Sequence, residues 1–234
     1  MINYNVMESS ILLMYISDKS GHHSAALSIE RAIRAQDPHV GVLNINGFKY
    51  VSPIMEKIIN TLYMNAINSF PQLWDFLYDN PAVEIKLKGI KESVNRKKRD
   101  KIKRLVETHN CKVVICSQAF PCGVAAEYKK KYFSELVLIA VVTDFTPHSY
   151  WLYEQVDFYI VASECAKETL IKKGVNEDKI KVFGIPIDQK FSNELDKAKT
   201  ALNLNLSIDR QSVLVMGGSR GFGPIKSLIK LLEK

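Results

Sequence analysis

The chain has 234 residues, a formal net charge of +7 and 47% hydrophobic residues. That length suits one large or two small domains with a real core. It holds no apolar run of about 18 residues, which argues against a membrane-spanning helix, and the stretch from Met1 to Ser17 has no basic start, so it reads as a first strand rather than a leader.

The elements follow in order. Ile11–Ser17 is a buried-strand run, and Asp18-Lys19-Ser20-Gly21-His22-His23 is a polar turn. Ala25, Ala26, Ile29 and Ile33 then repeat with helical spacing. Strand, glycine turn and helix open a Rossmann-like unit. Val40–Ile45 is the next strand. The stretch from Phe48 to Asn80 is rich in aromatics, among them Tyr63, Phe70, Trp74 and Phe76. It reads either as an amphipathic helix packed on a sheet or as an exposed apolar surface for a membrane interface.

Charge is concentrated beyond it. From Lys86 to Arg104 ten Lys/Arg, including Arg96, Lys97, Lys98 and Arg99, face only Glu92 and Asp100, so this segment's net of +8 exceeds that of the whole chain. Ile85, Leu87, Ile90 and Val94 make it helical. The face is a solvated one, an anionic membrane surface or a nucleic-acid surface. No nucleic-acid module is recognisable, so nucleic acid is not expected as a partner.

Lys112–Ser117, Leu136–Val142, Val156–Ala162 and Ile180–Ile187 are further strands, joined by helices that suit parallel crossovers. Residues 192–210 are a polar linker with a short helix. Val213–Met216 starts a fresh strand, followed by the loop Gly217-Gly218-Ser219-Arg220-Gly221-Phe222-Gly223 and a helix. Only 24 residues lie from 211 to 234, against the roughly 50 of a small domain.

Chemistry is sparse. The four cysteines (Cys111, Cys116, Cys122, Cys165) lack CxxC spacing and read as free buried thiols in a reducing compartment, with no zinc site. The glycine loop lets backbone N–H groups approach a phosphate, or is a turn without ligand. His22 follows the first strand, where an imidazole is able to take a proton from a hydroxyl near neutral pH; a solvated role, or competition from His23, is the alternative. Asp144 and His148 end another strand and orient a ligand or each other.

The ordered motifs resemble the monogalactosyldiacylglycerol synthase and processive diacylglycerol glucosyltransferase family, lipid glycosyltransferases akin to the peptidoglycan N-acetylglucosaminyltransferase. Gly21-His22 with Ala25-Ala26 resembles its G-H-x-x-A-A turn. Phe120-Pro121 with Gly123 resembles F-P-x-G, and Thr143-Asp144, His148 and Trp151 resemble T-D-x-x-x-H-x-x-W. Val156-Asp157, Tyr159 and Val161-Ala162-Ser163 resemble V-D-x-Y-x-V-A-S, and Gly184-Ile185-Pro186-Ile187 resembles G-I-P-I. Val213–Gly223 resembles the opening of the family's nucleotide-sugar domain.

The resemblance implies an α/β, GT-B-type architecture. Residues 1–191 would form the acceptor domain, 192–210 the linker, and 211–234 the first strand, loop and helix of an incomplete UDP-sugar domain. It implies inverting transfer of a hexose from UDP-glucose or UDP-galactose to diacylglycerol, with His22 as general base and Gly21, Asp144, His148 and Trp151 in the acceptor cleft. Gly217, Gly218, Gly221 and Gly223 would meet the diphosphate. No metal or other cofactor is implied. Trp74 and Arg96–Arg99 would dock the protein on anionic lipid at the cytoplasmic face of the cell membrane. The later donor motifs have no counterpart before Lys234, so the chain alone is expected to be inactive and to need a donor domain, in one chain or a separate one. Two further readings stand: a non-catalytic lipid-binding domain, and transfer to a polyprenyl-linked peptidoglycan precursor.

Overall fold

The computed structural model describes residues 10–18, 20–51, 81–132, 135–218, 221 and 223–232, with the side chains of the helix starting at Pro81 described from residue 93. The chain divides into two compact units, Met1–Asp188 and Gln189–Lys234. Trp74 and most of the aromatic segment lie outside the described residues.

The first unit is built on β1 (Ser10–Tyr15), β2 (Gly41–Asn46), β3 (Cys111–Cys116), β4 (Val137–Val141), β5 (Phe158–Val161) and β6 (Ile180–Val182). They form one sheet in the order β2-β1-β3-β4-β5-β6, every pair parallel. Parallel pairing requires crossovers. These include α1 (Gly21–Gln36), α2 (Gly47–Val51), α3 (Pro81–Thr108), α4 (Ala119–Tyr132) and α5 (Glu164–Lys172).

Side-chain alternation along each strand sorts the core into two layers. Leu12, Met14, Val114, Cys116, Leu138 and Ala140 pack under α3 and α4 with Ile102, Leu105, Val106, Val124 and Ala125. Leu13, Val42, Ile115 and Val141 face the other way, against Ile29 and Ile33 of α1. Helices on both faces of a parallel sheet make a Rossmann-like α/β unit. The six expected strands are present, though β6 stops at Val182 and not Ile187. Gly184 takes φ +84° and Pro186 has no N–H to give a ladder.

Phe48 of the aromatic segment is buried and stacks on Phe120, ring centroids 4.4 Å apart. The basic run is helical, as its apolar spacing predicts: it lies within α3, which turns Ile102, Leu105 and Val106 into the core. Cys111, Cys116 and Cys122 are free and buried, whereas Cys165 is free but exposed on α5, correcting the expectation for that residue.

In the second unit, α6 (Lys197–Asn203) starts at Asp196, whose carboxylate accepts from Lys199 N, and α7 (Ile225–Leu232) follows the glycine loop. The expected strand Val213–Met216 is irregular, with Val213, Leu214 and Met216 exposed. A strand exists only through ladder bonds to a neighbour, and none pairs with it among the described residues. The units divide three residues ahead of the expected boundary at 191.

Candidate active site

The strand order reverses between β1 and β3: the chain steps from β1 outward to β2, then returns to the other side of β1. Open parallel sheets bind ligands at such a point, beyond the carboxyl ends of the strands. His22 sits there, as the second residue of α1. Ser20 caps that helix, its hydroxyl accepting from His23 N at 3.2 Å.

His22 is tied to two strand ends directly and to a third through Ser117. Its Nδ1 lies 2.8 Å from the carbonyl oxygen of Ser117, just past β3, and 2.8 Å from Thr143 Oγ1, just past β4. The Ser117 hydroxyl donates back to the His22 carbonyl at 2.9 Å, and Ser117 N donates to Met14 O of β1 at 3.0 Å. A carbonyl only accepts, which assigns the ring hydrogen to Nδ1. Nε2 then carries the lone pair, and it has no hydrogen-bond partner among the described residues. Burial lowers the proton affinity of His22, while the Asp144 charge and the Ser117 carbonyl raise it in part. The net effect is a neutral imidazole with a basic Nε2 at neutral pH.

Asp144 is held from behind. Trp151 Nε1 donates to Asp144 Oδ2 at 2.7 Å. His148 Nδ1 accepts from Tyr150 N at 3.2 Å, so its hydrogen is on Nε2, which faces the same Oδ2 at 3.5 Å. Trp151 is only 1% exposed. Its indole therefore lies inside the wall of the site and not on an open cleft face.

Two glycines differ in their reasons. A side chain at Gly21 would meet nothing within 4 Å, and its φ is not positive, so the fold places no demand for glycine beside His22. At Gly123 a Cβ would overlap the Tyr153 hydroxyl and Asn95 Nδ2, so packing does demand it. In the second unit Gly218, Gly221 and Gly223 take φ of 66°, 68° and 107°, a region glycine enters at little cost.

The structure therefore gathers His22, Asp144, His148 and Trp151 in one place, with Gly21 adjacent. The glycine loop belongs to the other unit. Arg96 and Lys97 are exposed on α3, Lys98 and Arg99 half-buried, and a hollow lined by Tyr50, Asp100, Lys101 and Arg104 lies between α2 and α3. Among the described residues no group of His, Cys, Asp and Glu is arranged to hold a metal ion, and no helix is long and apolar enough to cross a membrane. Sequence reasoning missed Ser117 and Asn95. Ser117 shows only as the end of a strand, and Asn95 only as a neutral polar residue in a charged run.

The fold and this site define a Rossmann-like α/β unit with a neutral histidine at its switch point. Residues 22–187 match the family described as monogalactosyldiacylglycerol (MGDG) synthase, and the chain belongs to that family. It is 26% identical over 235 residues to a processive diacylglycerol beta-glucosyltransferase of Bacillus licheniformis, covering 96% of this chain and 57% of that protein. The Staphylococcus aureus (strain Newman) protein of the same description is 25% identical over 217 residues, covering 90% and 53%. The chain thus spans about half the length of the curated relatives it matches. Among solved structures it is similar to a lipopolysaccharide outer core galactosyltransferase in its apo form, with TM-score 0.47, 12% identity and coverage of 75% and 45%. An Anabaena protein in complex with UDP and glucose gives TM-score 0.43 at 12% identity, covering 85% and 50%.

Proposed function

We propose that this chain is the acceptor half of a GT-B glycosyltransferase that moves a hexose from a UDP-sugar to diacylglycerol with inversion. The observation that carries the reading is the tautomer of His22: Nδ1 bound to the Ser117 carbonyl, Nε2 basic, Asp144 close by. Nε2 takes the proton of the acceptor hydroxyl as its oxygen attacks the anomeric carbon and UDP departs. Asp144 stabilises the imidazolium that forms. Gly21 leaves the space beside His22 open to the acceptor. Residues 211–234 contribute the first part of the UDP-sugar half, with Gly217, Gly218, Gly221 and Gly223 presenting backbone N–H groups to the diphosphate. The charge of the leaving group is met there without a metal cofactor.

The relatives' printed names support diacylglycerol as acceptor. The basic stretch of α3, with Arg96 and Lys97 exposed and Lys98 and Arg99 half-buried, lays the unit on anionic lipid as a peripheral protein on the cytoplasmic face. Each Lys or Arg near such a surface contributes roughly 1 kcal/mol. Replacing Arg96 and Lys97 by Gln should therefore weaken binding to phosphatidylglycerol vesicles by about 2 kcal/mol, roughly 30-fold, as read by sedimentation at low salt. Unchanged binding would remove α3 from the docking surface.

Transfer is tested with the UDP-sugar half complete, in one chain or supplied as a second one. With UDP-glucose or UDP-galactose and diacylglycerol vesicles, His22→Ala should lower glycolipid formation by about 100-fold or more. Full activity in that variant would sink the assignment of the base. Binding of vesicles without UDP binding or transfer would favour a non-catalytic lipid-binding domain, and preference for a polyprenyl-linked acceptor would reassign the substrate.

A further inference from the structure

Asp144 supports His22 only if its carboxylate is held in place, and the residues that hold it are themselves held. Trp151 Nε1, 2.7 Å from Asp144 Oδ2, is aimed by the backbone of the turn 151–153. That turn closes on one buried hydroxyl. Tyr159 of β5 is 1% exposed. Its Oη accepts from Tyr153 N at 3.1 Å and lies 3.0 Å from Tyr153 O and 3.2 Å from Trp151 O, both of which accept its hydrogen. A phenol has one hydrogen and two lone pairs, so this group spends its full donor capacity on the turn.

The turn is braced from outside as well. Tyr153 Oη accepts from Asn95 Nδ2 of α3 at 3.3 Å, and Asn95 is 1% exposed. Gly123 of α4 has no side chain because those two groups occupy the space. Burial in these apolar surroundings pushes both phenols well up, so they stay neutral hydrogen-bonding groups.

We propose that Tyr159 is a positioning residue for the Asp144–His22 pair, acting through the 151–153 turn and the Trp151 indole. The inference rests on the reading of His22 as the base. Among the described residues no hydrogen bond joins Tyr159 to His22 or Asp144; its hydroxyl bonds only to the backbone of Trp151 and Tyr153. Its hydroxyl fixes the turn, the turn aims the indole, and the indole keeps the negative charge where it raises the proton affinity of His22. Without the hydroxyl the turn loosens and Asp144 spends less time near the imidazole.

The groups facing His22 are the Asp144 carboxylate, the Ser117 carbonyl and Thr143; His148 and Trp151 face Asp144. Cys122, Glu127 and Asn95 bear on the phenols from α4 and α3. A shift in His22 titration after loss of the Tyr159 hydroxyl therefore reports on Asp144, the one charged group facing the imidazole among the described residues.

The test is titration of the histidine ring signals of the 234-residue protein by heteronuclear NMR, with His22 assigned by its loss in His22→Ala. Asp144→Asn should lower the His22 pKa. Tyr159→Phe should lower it in the same direction by a smaller amount. Trp151→Phe keeps an aromatic ring but lacks the N–H, and should shift His22 in the same direction; it carries the test if Tyr159→Phe does not fold. If Asp144→Asn shifts His22 and neither aromatic variant does, the pair stands and the positioning role falls. If Asp144→Asn leaves His22 unmoved, the pair itself fails and the proposal with it.

Discussion

His22 and His23 are neighbours in sequence, and both present Nδ1 to a backbone carbonyl: Ser117 O at 2.8 Å for His22, Asp18 O at 2.6 Å for His23. Their surroundings part at the sheet. A helix turns about 100° per residue, so adjacent side chains face different flanks. His22 faces the β1–β3 switch point, with Thr143 and Asp144. His23 stacks on Tyr15, ring centroids 4.1 Å apart, beside an ion-paired cluster. There Asp18 accepts from Tyr15 Oη at 3.1 Å and from Asn46 Nδ2 at 3.0 Å, and pairs with Lys49. One flank leaves a basic nitrogen unsatisfied beside a carboxylate. The other spends its carboxylate on fixing a turn whose Ser17 sits at φ +59°. What separates the two rings is what remains unsatisfied among the described residues, not residue type.

The strongest way to break that contrast is to exchange roles. With the UDP-sugar half complete, the loss of about 100-fold or more expected for His22→Ala should have no counterpart in His23→Ala, whose transfer rate should stay within a few-fold of the parent. Comparable losses in both would mean that the two flanks are not chemically distinct.

Asp144→Asn comes next. It removes the charge that would stabilise the imidazolium on the proposed mechanism while keeping the shape, and should slow transfer about tenfold, on the order of 1.4 kcal/mol of barrier. Burial holds the His22 pKa below its ordinary value of 6.5, so on the proposed mechanism the imidazole would be neutral and competent as a base above that range and would be lost by protonation on the acid side. Losing Asp144 should move this acid limb to lower pH in a pH–rate profile. A limb that stays put would detach Asp144 from the base.

The smallest effect is expected on the His23 flank. The Lys49 ammonium first, then Asn46, hold the Asp18 carboxyl at about 2, below the ordinary 3.8. A depressed carboxylate contributes stability above its unfolded pKa, and that contribution disappears as pH falls from about 4 to about 2. Asp18 is partly exposed and screened, so Asp18→Asn should cost about 1 kcal/mol or less at neutral pH. The difference from the parent should vanish near pH 2 in denaturant melts. For His22 the slope has the same sign by a different route: its folded pKa is depressed because burial disfavours its charged form, so its contribution improves as pH rises toward 6.5 and then levels.

Much of the first unit was legible in the chain. Six apolar runs, spaced by helical periodicity, predicted six strands, and six form. The exceptions have physical causes. Ile180–Ile187 looks apolar throughout, but a positive-φ glycine and a proline end its ladder early. Val213–Met216 has the composition of a strand without a paired neighbour, and composition does not supply a partner. At the site, Gly21, His22, Asp144, His148 and Trp151 were all visible as residues following strands. Ser117 and Asn95 were not, because one acts through a backbone carbonyl and the other as one uncharged residue inside a charged helix.

The sequence by itself determined the alternation of strands and helices, the concentration of positive charge in α3 and the identity of the candidate base, since periodicity, charge and residue type are local properties. Only the tertiary structure decided which nitrogen of His22 is basic and that Trp151 serves Asp144 from inside the wall. It also decided that Gly123 is glycine because Tyr153 and Asn95 fill its space. The outcome at His22 depends on groups 95 and 121 residues away meeting it beyond the carboxyl ends of β3 and β4, and the order of parallel strands, which no local pattern encodes, is what brings them there.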